Sequence, residues 1–206
     1  MPKLVYGVGV NNADYVVQKE ELISHVNGKR KRKMVWICPY YKAWKNMLQR
    51  CYSAKFQEKY PTYIGCSVSE DWKYLSVFKG WMETQDWEGM HLDKDLLFEG
   101  NKVYSEETCV FVPRAVNMFM ADSGAARGEL MIGVTWHKRR SKFMSSCSNP
   151  FTKRKEHLGY FDYEQDAHEA WLSRKLELAK ELAAIQTDSR VAEALINRYS
   201  KIQTQI

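Results

Sequence analysis

The chain has 206 residues, 45% of them hydrophobic and 13% aromatic, with 31 Lys and Arg set against 25 Asp and Glu. That composition argues against global disorder, and the length allows one large or two small domains. No run of about 18 apolar residues occurs, which excludes a membrane-spanning helix, and the net charge of +6 favours an acidic partner such as nucleic acid.

The opening MPKLVYGVG lacks the charged-then-apolar layout of a secretory signal, so a cytoplasmic protein is expected. The five cysteines, Cys38, Cys51, Cys66, Cys109 and Cys147, contain no C-x-x-C pair. Free thiols are the expectation in a reducing compartment. Zinc, for which Cys51 and Cys109 would be the candidates, is not expected.

Residues 1–35 read as a peripheral extension with Gly and Asn-Asn turn signals. They end in the basic run Lys29-Arg30-Lys31-Arg32-Lys33, either a solvated loop or an arm that contacts phosphates. In residues 40–52 the apolar positions Tyr41, Trp44, Met47, Leu48 and Cys51 recur at helical spacing. Ser69-Glu70-Asp71 then looks like a helix opening, with carboxylates in the first turn. Trp72, Leu75, Phe78 and Met82 would form the buried stripe of that helix.

HLDKDLL and TCVFVP read as two short strands of a hairpin with a long loop, followed by a helix at RAVNMFM. The small, Gly-rich stretch 122–129 is the expected linker. Beyond it, LMIGVTWHK, KFMSSCS and EHLGYFD are three strand candidates. A helix over about 163–184 follows, with Ala167, Trp171, Leu178, Leu182 and Ile185 on one face and Glu164, Arg174 and Lys175 off it. A second amphipathic helix covers about 190–202.

Hydrolytic chemistry would have to sit between His91 and Asn117. A hairpin followed by a helix can aim acids, a base and an amide at one divalent metal that holds a scissile phosphate. Asp93 and Asp95 are expected on one side of a strand, His91 shares their parity, Asn101 lies in the loop and Asn117 starts the helix.

This segment, over about residues 41–117, resembles the HNH (ββα-metal) endonuclease-like proteins common in phages. The resemblance runs through W-K-N-M-L-x-R-C-Y, P-T-Y-I-G-C-x-V-x-x-x-W, F-K-x-W-M, L-D-K-D and G-N-K-V-Y-S-x-E-T-C-V-F-V-P-x-x-V-N. It implies Asp93 as the acidic Mg²⁺ ligand and Asn117 as the last ligand. Lys94 stands where active members carry the histidine that activates water. Lysine is ordinarily protonated at neutral pH and is no base, so His91 would have to take that role. Either an active Mg²⁺-dependent endonuclease or a non-cleaving scaffold follows.

In the last third, Val134, Trp136, Lys138 and Arg140 fall on one parity and Thr135, His137 and Arg139 on the other. A small antiparallel sheet on one helix has an open side that fits the DNA major groove. Trp136 would pack on the DNA while Arg139 or Arg140 forks onto a guanine. Lys138, Lys142, Lys153, Arg154 and Lys155 would reach phosphates. Alternatively, Trp136 and Phe143 are core and the charges are a solvated hairpin.

G-V-x-W-x-x-x-x-x-K-F followed by L-G-Y-F-D-x-E-x-x-A-H-E-A-W resembles the AP2 DNA-binding domain over about residues 129–178. The likeness rests on Gly133, Val134, Trp136, Phe143, Leu158, Gly159, Phe161, Ala167 and Ala170. It implies a three-stranded sheet on a helix that enters the major groove. Thr135 replaces the arginine that usually follows G-V.

The expected architecture is α+β. An HNH-like module (36–121) precedes an AP2-like domain (130–186) and a C-terminal helix (187–206). The expected partner is double-stranded DNA, or a host protein, in the cytoplasm of a phage-infected cell.

Overall fold

The computed structural model describes residues 4–26, 29–121 and 129–204. The protein is mixed α+β with several small sheets. It forms two compact units, Met1–Phe111 and Val112–Ile206. Among the described residues no helix is long and apolar enough to cross a membrane. The expected linker at 122–129 lies, except for Glu129, outside the described residues.

In the first unit, strands β1 (Gln18–Val26) and β2 (Lys29–Ile37) pair antiparallel as a ribbon. The basic run is therefore a strand and not a loop, because KRKRKMVWI finds a pairing partner of equal length in QKEELISHV. Leu22, Ile23, Val35 and Trp36 remain exposed on this ribbon.

Helix α1 (Pro39–Tyr52) buries the five residues expected from its spacing, Tyr41, Trp44, Met47, Leu48 and Cys51. Helix α2 (Ala54–Lys59) follows, opened by Ser53, whose hydroxyl accepts from Phe56 N. Strand β3 (Ser67–Val68) pairs parallel with β5 (Val103–Tyr104). Helix α3 (Leu75–Glu83) starts later than expected and without a side-chain cap. Ser69 does not cap it, since its N–H goes to Tyr104 O at 2.9 Å and draws the chain onto β5. Trp72, Leu75, Phe78 and Met82 are nonetheless buried, with Trp81 beside them.

The N-terminal segment is less peripheral than its sequence suggests. Val5, Tyr6 and Val8 pack on the core. Gly9 lies so close to Leu48 and Trp44 that a side chain there would collide with both.

Strand β4 (His91–Asp93) pairs with β6 (Val110–Val112). The unit boundary falls inside β6. Helix α4 (Arg114–Met120) belongs to the second unit. There the sheet runs β7 (Val134–His137), β8 (Lys142–Ser148), β9 (Lys155–Phe161), all antiparallel. Helix α5 (Glu164–Ala183) covers one side of this sheet. Helix α6 (Ser189–Thr204) packs on α5 and buries Val191, Leu195 and Tyr199.

Two side chains of the α5 region depart from the expected pattern. Ile185 lies past the helix end and is exposed, whereas Lys175 is 8% exposed and part of the packed interior. Its Nζ donates to Phe119 O at 2.7 Å, and the Tyr199 hydroxyl reaches the same oxygen at 3.3 Å. Together they satisfy a carbonyl at the end of α4, which an α-helix leaves without an internal partner. These contacts explain why the chain joins the second unit well before the Gly-rich stretch.

Candidate functional site

The acidic segment of the first unit is a closed turn. Strand β4 ends at Asp93, so Asp95 is not on the strand as its spacing suggested. The cause is Asp93 itself. Its Oδ1 accepts the N–H groups of Asp95 at 3.0 Å and Leu96 at 2.8 Å, which bends the chain out of the extended form. Burial of Asp93, with the charge of Asp95 beside it, raises its carboxyl above the ordinary aspartate range. The two backbone N–H bonds oppose that rise without cancelling it.

Lys94 is 6% exposed. Its Nζ donates to Asn101 O at 2.8 Å and lies 3.2 Å from Asp95 Oδ2. Asn101 returns the contact, donating from Nδ2 to Lys94 O and Val103 O, each at 2.7 Å, while its Oδ1 accepts from Val103 N. A cation thus sits among the expected metal ligands, and one oxygen of each aspartate is engaged. The arrangement disfavours a divalent ion, since Asp93 Oδ1 is committed to two backbone N–H groups and Asp95 Oδ2 faces the Lys94 ammonium. Asn117, the expected last ligand, is the fourth residue of α4 in the second unit.

His91 is exposed and lines a different space. It borders a groove of about 370 Å³ with Lys42, Asn46 and Arg50 of α1. Arg50 Nη1 is fixed there by Leu92 O at 3.3 Å and the Tyr104 hydroxyl at 3.4 Å. Among the described residues no carboxylate lines this groove to orient His91 as a base.

In the second unit the sheet separates its residues by face. Val134, Ser145 and Cys147 are buried under α5. Trp136 shares the parity of Val134 and meets Phe143 edge-on at 4.9 Å, with 46% of its surface exposed. It therefore sits on the rim of the helix-covered side and not at the centre of the open face. Glu156 also points to the helix, where Arg174 Nε donates to it at 2.8 Å.

The open face carries residues that spacing did not single out. Tyr160, of the edge strand β9, lies 5.1 Å from His137 and 4.6 Å from His157 between ring centroids. Arg140 stacks its guanidinium over Tyr160 at 4.4 Å. A bulge in β9, opposite Ser145 and Ser146 of β8, brings His157 and Tyr160 to the same side, although they are three residues apart.

The basic residues form two clusters and not one. Lys138, Arg139 and Arg140 lie in the β7–β8 turn, whose close is made by Ser141 at φ +49°. Lys153 and Arg154 lie in the β8–β9 turn, and Lys155 begins β9. In an antiparallel sheet these turns sit at opposite ends of β8, a span of about 23 Å for seven residues. Lys142 Nζ pairs with Asp162 Oδ1 at 2.7 Å.

No family model matches this chain, and neither a curated protein nor a solved structure matches it.

Proposed function

We propose that the protein binds double-stranded DNA through the open face of the β7–β9 sheet, in the manner of an AP2 domain, and that the first unit is a non-cleaving scaffold of HNH-like type. One observation carries the first half. The open face holds Tyr160, His137, His157 and Arg140, and a cationic turn stands at each end of it. The major groove is about 12 Å wide and admits a small sheet. A sheet with cations about 23 Å apart can rest in the groove while its two turns reach the phosphates on either side.

The closed turn at Asp93, Lys94, Asp95 and Asn101 supports the second half. Each of these polar groups has a structural partner, and the position expected for the general base is a lysine held between Asp95 and Asn101 O. An exposed apolar face on the last helix would favour a host-protein partner. Val191, Leu195 and Tyr199 of α6 are buried in the second unit itself, so that face is already covered.

Fluorescence anisotropy with a pool of random duplexes tests the binding reading. Affinity should fall steeply with salt, as counterion release requires. Absence of binding at low salt sinks it. Incubation of supercoiled plasmid with Mg²⁺ or Mn²⁺ tests the scaffold reading, and nicking that Asp93→Ala abolishes would overturn it.

A further inference from the structure

A groove of about 740 Å³ opens within the second unit, between α4 and the β8–β9 turn. Arg114, Lys153, Arg154, Lys155 and Lys175 line it, and among the described residues no Asp or Glu does. None of the five pairs with a carboxylate among the described residues. Glu156, the acid next in sequence, is held by Arg174 at 2.8 Å and by Asn149 Nδ2 at 2.7 Å. The groove's apolar part is Met118, Phe119 and Pro150. Met118 is 64% exposed.

The turn is held in place against its own repulsion. Asn149 is buried; its Oδ1 accepts from Phe151 N at 2.8 Å and Thr152 N at 3.0 Å, and its backbone N–H donates to Arg154 O. Lys153 sits at φ +56°, a left-handed conformation that costs a non-glycine residue about 1 kcal/mol. Strain plus three adjacent cations is a poor arrangement for stability alone. It is a suitable one for a fixed anion site.

The geometry points to a nucleoside phosphate as the ligand of this groove, with the phosphate on Arg114 and the Lys153–Lys155 turn and the base against Met118, Phe119 and Pro150. The cations supply the charge-assisted donors that a phosphate takes. The apolar floor supplies the surface on which a base loses water. The size lies within the range of small-ligand sites. The nucleoside phosphate can come from a free nucleotide or from an unpaired nucleotide of a strand. The groove shares the Lys153–Lys155 turn with the sheet, whereas Arg114 and Met118 belong to no strand.

Isothermal titration of the full chain tests it, with AMP, CMP, adenosine, inorganic phosphate and a 5′-phosphorylated tetranucleotide as probes. A nucleoside monophosphate should bind at least about tenfold more tightly than adenosine or phosphate alone, because only it engages both halves of the groove. Arg114→Gln combined with Arg154→Gln should weaken it by about tenfold or more at an unchanged melting temperature, both side chains being exposed. A tetranucleotide that binds more tightly than AMP and is displaced by it identifies the strand as the source. A tetranucleotide that binds no better identifies the free nucleotide. Failure of the monophosphates and the tetranucleotide to bind, or equal affinity in the double variant, overturns the inference. Loss of duplex binding with AMP binding intact in Arg139→Ala/Arg140→Ala separates the groove from the sheet.

Discussion

In the first unit a buried lysine stands 3.2 Å from one aspartate, another aspartate binds two backbone N–H groups, and an asparagine closes the ring around them. In the second unit Arg114 of α4 and Lys153, Arg154 and Lys155 of a turn that carries backbone strain face solvent, with no carboxylate paired to them among the described residues. The two regions have similar chemistry in sequence, a few charges among turn residues, yet opposite fates. Where polar groups find partners inside the molecule, less is left to hold a ligand. Where charge is left uncompensated and held in place, the partner has to come from outside.

The largest expected effect lies on the open sheet. Arg139→Ala with Arg140→Ala should lower duplex affinity about 100-fold and reduce the slope of log affinity against log salt by about two, one for each phosphate that no longer meets a cation. Asp93→Ala should leave duplex affinity within about twofold. Equal losses in both variants would erase the distinction between the regions.

Next in size is the buried asparagine. Asn149→Ala should destabilise the protein by about 2 kcal/mol in urea, because it strips acceptors from Phe151 N and Thr152 N and a donor from Glu156. It should also weaken AMP binding by releasing the turn. Unchanged stability would mean that the turn is not held as described.

Asp93→Ala should cost about 1–2 kcal/mol, as the removal of a side-chain cap from a turn usually does. Its pH dependence has a definite sign. Burial raises the Asp93 carboxyl above its unfolded value, so the folded state binds this proton more tightly. The group therefore lowers stability above its folded pKa, and the penalty disappears as pH falls through that value and then through the unfolded one near 3.8. Compared with Asp93→Asn, the wild type should lose less stability on acidification. A greater loss would mean that the carboxylate is stabilised in the fold.

The smallest effect concerns Lys175. Burial pushes its ammonium down from 10.5 to about 8, so between those values the unfolded chain holds a proton that the folded one has released. Stability of the wild type relative to Lys175→Met should rise by about 1 kcal/mol from pH 8 to pH 9. A flat difference would place Lys175 in contact with solvent.

Legibility from sequence follows packing. Helix α1 is readable to the residue, because Tyr41, Trp44, Met47, Leu48 and Cys51 repeat with the period of one helical face. The three strands and long helix of the second unit are readable for the same reason. The β1–β2 ribbon is not, although the Asn27-Gly28 dipeptide between two runs of equal length is a hairpin signal. Its basic composition masks the β-pattern. Lys175 falls off the packed face when charge is weighed above spacing, yet it lies three residues before Leu178, which is fully buried. Tyr160 and His157 cannot be paired from alternation alone, since a bulge shifts the register between them. The parity of His137 is visible, however, and a buried Val134 on the opposite parity already implies that His137 and not Trp136 faces outward.

Where the chain is divided for study follows from the carbonyl of Phe119. The Gly-rich stretch at 122–128 invites a cut, but a fragment that begins at Glu129 leaves α4 behind. The Lys175 ammonium and the Tyr199 hydroxyl would then lose the oxygen they share, and both would lose the Phe119 ring that covers them on that side. A fragment that starts at Val112 keeps those interactions, so the useful boundary for expressing the second half lies well before the one that composition marks.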